Sequence, residues 1–171
     1  MTKWFTADQH FYHRKIIEYC NRPFKSEKHM RNTLINNFND VVRKDDQTFI
    51  LGDAAMLGGS QWERLRGVIQ KLNGTKHLIY GNHDELRWQR YIDVGFTTTH
   101  SALWLDEGGH HIVMAHDPSV YCTLAPGTIF LHGHIHTLYK SIPDKRVVNV
   151  GVDMWNYCPV NLEQIFKELG L

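Results

Sequence analysis

Apolar positions along this chain follow two rhythms. Lys3–Ala7 (KWFTA), Thr48–Leu51 (TFIL) and His77–Tyr80 (HLIY) are short apolar runs, each closed by Asp, Gly or Asn. Such runs bounded by turn residues predict strands. Between them the period lengthens. From Ser26 to Val42, the residues Met30, Leu34, Ile35, Phe38, Val41 and Val42 fall on one helical face, with Ser26 as N-cap. From Ser60 to Leu72, Trp62, Leu65, Val68, Ile69 and Leu72 do the same. Shorter helices are expected over residues 13–20 and Glu85–Asp93.

The second half reads as mostly β. Phe96–Leu105, His111–Ala115, Thr128–His132 and Arg146–Val150 are expected strands, and Asp106-Glu107-Gly108-Gly109 a hairpin turn. Asn161–Leu169 closes as a helix, with Gln164 completing a capping box. Alternating strands and helices, then strands, predict an α/β fold: two stacked sheets with helices outside, in one domain over 1–171.

Composition changes the picture in one respect. The 171 residues carry 19 Lys plus Arg against 18 Asp plus Glu, so the net charge of +1 gives no strong nucleic-acid signal. Cys20, Cys122 and Cys158 form no CxxC pair, and no apolar run suits a membrane span or a signal core, so a cytoplasmic protein is expected. The exception is 12 histidines, spread along the chain rather than in a terminal tag.

Their context is chemical. The strand ends read Asp8-Gln9-His10, Gly52-Asp53, Gly81-Asn82-His83-Asp84, Ala115-His116 and Gly133-His134-Ile135-His136. Sites in layered α/β folds collect at the carboxyl ends of strands. In Asp8-x-His10 and His134-x-His136 a spacing of two turns both side chains the same way in extended backbone. Carboxylates, an amide oxygen and imidazoles without thiolates suit Mn, Fe, Zn, Ni or Co and argue against a structural zinc site. His132, one residue outside the last motif, reads as packed. So do the Trp88–Tyr91 run and the Trp155/Tyr157 pair, while Asp117 reads as a turn residue before Pro118.

The ordered set DxH, GD, GNHD, H and GHxH, from Asp8 to His136, resembles the calcineurin-like metallophosphoesterase superfamily. The stretch Asn149-Val150-Gly151-Val152-Asp153 with Trp155-Asn156-Tyr157 looks like the C-terminal end of its small bacterial and phage members. The resemblance implies a four-layer α/β/β/α sandwich with two divalent metal ions, manganese foremost. Asp8, His10 and His136 would hold one ion; Asn82, His116 and His134 the other; Asp53 would bridge. It implies a phosphatase or phosphodiesterase in which a metal-bridging hydroxide attacks a phosphomonoester or phosphodiester, a nucleotide among the candidates. His83 would serve the leaving oxygen.

The sequence departs from the phosphoprotein phosphatases of the superfamily after Gly52-Asp53. Ala54-Ala55-Met56-Leu57 stands where they have Asp-Arg-Gly. Asp84 is therefore the expected partner of the His83 ring, and Asn82, His13, Arg22 and Arg87 the expected phosphate contacts. The alternative function is a non-catalytic protein-interaction scaffold on the same fold, against which the filled His83 and ligand positions count.

Overall fold

The computed structural model describes residues 1–56 and 61–171. In chain order the elements are β1 (Lys3–Thr6), α1 (Ile16–Tyr19), α2 (Glu27–Val41), β2 (Gln47–Leu51), α3 (Trp62–Ile69), β3 (Thr75–Ile79), α4 (Trp88–Val94) and β4 (Thr98–His100). There follow β5 (Leu103–Glu107), β6 (His110–Met114), β7 (Ile129–His132), β8 (Ser141–Ile142), β9 (Val147–Asn149), β10 (Val160–Asn161) and α5 (Leu162–Leu169). The Ser26 cap forms, its hydroxyl accepting from the His29 N–H at 3.1 Å. So does the Asn161/Gln164 capping box. Ser60, the expected cap of α3, lies outside the described residues.

The strands build two five-stranded sheets, ordered β10-β1-β2-β3-β4 and β5-β6-β7-β9-β8. β1 to β4 are parallel, with β10 antiparallel at one edge. β6, β7 and β9 are parallel, between antiparallel β5 and β8. Parallel strands exit on one side, so the loops after β1, β2 and β3 share an edge, as do those after β6, β7 and β9.

Alternation along β2 shows how the layers stack. Phe49 and Leu51 face the core between the sheets, with Phe5, Ile79, Ile112, Met114 and Leu131. Ile50 faces the other way, with Leu78, onto Met30, Leu34 and Phe38 of α2, Leu65 and Ile69 of α3 and Tyr91 of α4. Burying each such side chain is worth about 1.5–3 kcal/mol. The outer face of the second sheet is covered more thinly: Phe130 and Val147 lie beneath Val120, Tyr121 and Leu124 around a 3-10 turn at Pro118–Thr123. The α/β sandwich expected from the sequence is present, with its thick helical layer on the first sheet.

One expected strand is two. Phe96–Leu105 splits into β4, paired with β3, and β5, paired with β6 in the other sheet. The chain changes sheets at Ser101-Ala102, an exposed bend inside a run of strand-forming residues. Of the aromatic residues expected in the core, Tyr91 is fully buried, whereas Trp88 is 61% exposed.

Candidate metal centre

The loops after the strands turn sharply. Asp8, His10, Asp53, His134 and His136 all have positive φ, between 47° and 76°. The left-handed region disfavours residues with a Cβ, and such outliers persist where the surrounding structure over-determines them. Here the lacing is visible. The Asp8 N–H donates to Gly52 O, His10 N–H to Asp53 O and Phe11 N–H to Ala54 O, at 2.9–3.0 Å. Val152 N–H donates to Ala7 O at 3.0 Å, tying the second sheet to the first. Each reversal throws a polar side chain into the cleft between the two sets of loops.

Asp53 lies at the centre. Its Oδ1 accepts from the His83 N–H at 2.9 Å. Its Oδ2 faces three imidazole nitrogens: His116 Nε2 at 3.5 Å, His10 Nε2 at 3.6 Å and His83 Nε2 at 4.0 Å. Burial alone would raise this carboxyl, but its contact with His116 and the charge of that ring hold it down at about 2. Asp8, fully buried, is pushed up to about 6 by burial, against the charges of His116 and His136. Both Asp8 oxygens accept from the His134 N–H, at 3.0 and 3.1 Å. Burial lowers His10 to about 3.

Two groups of donors meet around this carboxylate. Asp8, His10 and His136 bring ligand atoms within 4.8 Å of one another, and so do Asp8, Asp53 and His116. On the far side, Asn82 Oδ1 lies 3.0 Å from His116 Nε2 and 2.8 Å from His134 Nδ1, and those nitrogens are 3.2 Å apart. His116 Nδ1 contacts Leu51 O at 2.8 Å, a carbonyl that can only accept. The Nδ1 must therefore carry a proton, and in neutral imidazole Nε2 is then a lone pair. It points at an amide oxygen, another lone pair. A cation resolves that opposition, either a second proton on the ring or a metal ion, as does a reversed Asn82 amide that sets its NH2 against Nε2. The ring's own tendency matches: burial would lower His116, yet its contacts with Asp53 and the Asp8 charge raise it to about 9.

A metal centre fits these residues on a further count. His10 Nε2 is buried with no hydrogen-bond partner among the described residues, although it faces Asp53. Hard oxygen donors with imidazole nitrogens are the ligand set of first-row divalent ions.

Asp153, which follows β9, takes a role that no sequence motif assigned to it. Its Oδ2 lies 3.0 Å from His136 Nδ1, which turns the other ring nitrogen toward the cleft. Burial would lower His136, but the Asp153 bond and the Cys20 thiol raise it to about 10. Asn149, also unassigned and fully buried, donates to His136 O at 2.9 Å and so fixes the same loop. A strand followed by Gly-x-Asp was the available signal.

Two expected roles change. Arg22 is no phosphate contact. Its side chain is fully buried, its Nε and Nη2 donate to the two Asp153 oxygens at 2.8 Å each, and Nη2 and Nη1 donate to Asp8 O and Gln9 O at 2.7 and 3.2 Å. It is a strut under the first site loop. Cys20, His136 and Asp153 also converge, but this guanidinium covers both Asp153 oxygens and would oppose a cation there. Asp84 does not reach the His83 ring in any described contact. Its carboxylate accepts from the Gly81 and Asp53 N–H groups at 2.9 and 2.8 Å and from the Tyr91 hydroxyl at 3.3 Å. It clips the His83 loop to the Asp53 loop, and burial raises it to about 6.

His83 stands at the rim, its side chain 39% exposed, with its ring centroid 5.5 Å from that of His10. His13 is brought to the same place, with its Nδ1 3.3 Å from His10 Nδ1. No described contact joins Arg87 to them: its exposed side chain pairs with Glu85 at 3.0 Å. His132 is fully buried against Gly133 O and the Tyr139 hydroxyl, and Asp117 Oδ1 caps the turn at Ser119 N–H.

Two mixed sheets with helices outside and parallel strand exits along one edge make an α/β fold shared with a solved archaeal phosphodiesterase. The chain belongs to the same family as the uncharacterized protein MJ1445 of Methanocaldococcus jannaschii, which is 34% identical over 96% of this chain and 89% of its own length. The gene 66 protein of Mycobacterium phage L5 is 30% identical over 89% of this chain and 86% of its own. Among solved structures, the protein of unknown function AQ665 from Aquifex aeolicus superposes with a TM-score of 0.79 at 23% identity, covering 98% of both chains. An archaeal protein described as a novel phosphodiesterase superposes at 0.52 and 18% identity, over 88% of this chain and 84% of its own. No family model matches. Among the described residues, no helix is long and apolar enough to cross a membrane.

Proposed function

We propose that this protein is a metal-dependent phosphoesterase that binds two divalent cations, manganese foremost, and hydrolyses phosphomonoesters or phosphodiesters. The observation that carries the reading is Asp53 Oδ2 facing three imidazole nitrogens while His116 Nε2 opposes the Asn82 amide oxygen. That arrangement asks for positive charge at two neighbouring places. Asp8, His10 and His136 would hold one cation and Asn82, His116 and His134 the other, with Asp53 between. Bound there, such ions make coordinated water acidic and neutralise phosphate oxygens.

The remaining residues have separable tasks. His83, at the rim and held by its backbone to Asp53, donates a proton to the leaving oxygen. His13, beside His10 and half-exposed, faces a phosphate oxygen of the bound ester. Arg22 and Asp153 orient His136 and the Asp8 loop, and Asp84 orients the His83 loop. Kinship in fold with an archaeal phosphodiesterase is in keeping with this reading.

The test is metal analysis after manganese loading, together with turnover of one chromogenic phosphomonoester and one diester. About two ions per chain and turnover of either ester are expected. Less than one ion with no turnover overturns the proposal.

A further inference from the structure

A second polar feature lies beside the site. A groove of about 620 Å³ runs between α2 and α3, and Tyr12, Lys28, Arg31, Arg64, Gly67 and Lys71 line it. Tyr12 joins the groove to the site, because it immediately precedes His13, whose ring centroid is 5.2 Å from that of His10. The Tyr12 hydroxyl donates to Arg64 O at 2.8 Å, and the Arg31 guanidinium stacks 4.7 Å from the Tyr12 ring centre. The one acid at the groove, Glu27, is occupied by Arg31 and the Tyr12 N–H. Among the described ion pairs none involves Lys28, Arg64 or Lys71, all three exposed. Four cations against one acid is a strong local excess on a chain of net charge +1.

Gly67 adds an independent observation. It lies within α3, where glycine costs about 1 kcal/mol relative to alanine. Packing does not require it, since a Cβ there would meet nothing within 4 Å. What the missing side chain leaves is an open groove floor. Arg64 on α3 and Lys71, two residues past its C-terminal end, are seven residues apart, about 10 Å at 1.5 Å per residue. One phosphate group does not span that distance, whereas a chain of phosphates does. The Arg31 guanidinium, stacked on the Tyr12 ring and paired with Glu27, adds a partly exposed cation to the wall.

We infer that this groove binds the phosphodiester backbone of a single-stranded nucleic acid leading to or from the metal centre, so that the substrate class is a polynucleotide rather than a small ester. The inference rests on the phosphoesterase reading for its direction, but its test does not depend on turnover.

The test is fluorescence anisotropy of a labelled twelve-nucleotide single strand, with metal-free protein, across a salt series. Three neutralised phosphates, at Lys28, Arg64 and Lys71, predict a slope of log K on log salt of about −2.1. The variant K28Q/K71Q should reduce that slope in magnitude by about 1.4 and weaken binding about tenfold at low salt. Gly67→Gln should also weaken binding while leaving the thermal midpoint unchanged or higher, a combination that a merely structural role would not give. Both variants should turn over a small chromogenic ester at the wild-type rate. Absence of oligonucleotide binding overturns the inference, as does either variant with wild-type affinity and slope. Equal affinity for polyglutamate or for anionic phospholipid vesicles overturns the nucleic-acid assignment. Failure of small-ester turnover in the wild type strikes the phosphoesterase reading alone.

Discussion

Replacing Arg22 with Met tests whether the site rests on a buried strut. Arg22 and Asp153 are 0% and 1% exposed at their side chains, so the pair lies in a medium of low polarity. Removing the guanidinium leaves the Asp153 carboxylate with His136 as its remaining partner, and breaking one side of a buried pair costs about 3–5 kcal/mol. It also strips a donor from each of the Asp8 and Gln9 carbonyls, at roughly 1–3 kcal/mol for a buried group left unmade. His136 and water entering the gap return part of this, so the expected loss is about 4 kcal/mol. A domain with about 5–15 kcal/mol to lose survives that, though narrowly. The measurement is urea unfolding followed by circular dichroism, with the slope on denaturant unchanged. The double variant R22M/D153L should be less destabilised than the two single losses added together, by at least about 1.5 kcal/mol, because neither charge is then stranded. A loss below about 1 kcal/mol in Arg22→Met, or an additive cycle, refutes the strut. A raised KM for the ester with stability intact would instead make Arg22 the phosphate contact that its sequence context suggests.

Three further outcomes follow from the geometry. A Cβ at Gly81 would overlap the Asp53 carboxylate and backbone nitrogen, so Gly81→Ala should cost about 1–3 kcal/mol and lower metal content, checked by melting and metal analysis. His83→Ala should keep its metal while kcat falls by about 10²–10⁴, whereas Asp53→Asn should lose both; an emptied site in His83→Ala would contradict the division of roles. Far from the site, Asp46 accepts from the Thr2 and Arg43 N–H groups and the Trp4 indole, and these bonds, Thr2 first, hold its carboxyl below the usual value of 3.8. A lowered carboxyl stabilises the fold above its unfolded pKa and loses that contribution as pH falls through the folded one. The stability gap between wild type and Asp46→Asn should therefore be full at neutral pH and close below pH 3.8.

What could be read in the sequence was local. Ser26 and Asn161 announce their helices because the cap and its partner lie three residues apart. The site loops announce themselves because each closes an apolar run with Asp, Asn or His. What escaped was set by distance or by backbone. Arg22 and Asp153 are 131 residues apart, and no periodicity links them. Asp84 spends its carboxylate on backbone N–H groups, donors that every residue type except proline supplies. The break at Ser101-Ala102 was hidden by strand propensity on both sides, since only tertiary packing tells β4 to join one sheet and β5 the other. The groove between α2 and α3 was hidden in the same way, because a balanced total charge conceals where the cations gather.

That same change of sheet divides the cleft between two stretches of chain. Asp8, His10, Asp53, Asn82 and His83 precede Ser101, while His116, His134, His136 and Asp153 follow it. Neither stretch alone holds a full set of donors. A ligand that needs both therefore has no template in the unfolded or half-folded chain. It adds its binding free energy only once the sheets have docked, and selects that state in proportion to the logarithm of its concentration. Occupancy of the cleft would then report on assembly, late and all at once, and a chain severed at the crossover would regain it only by reuniting its two parts.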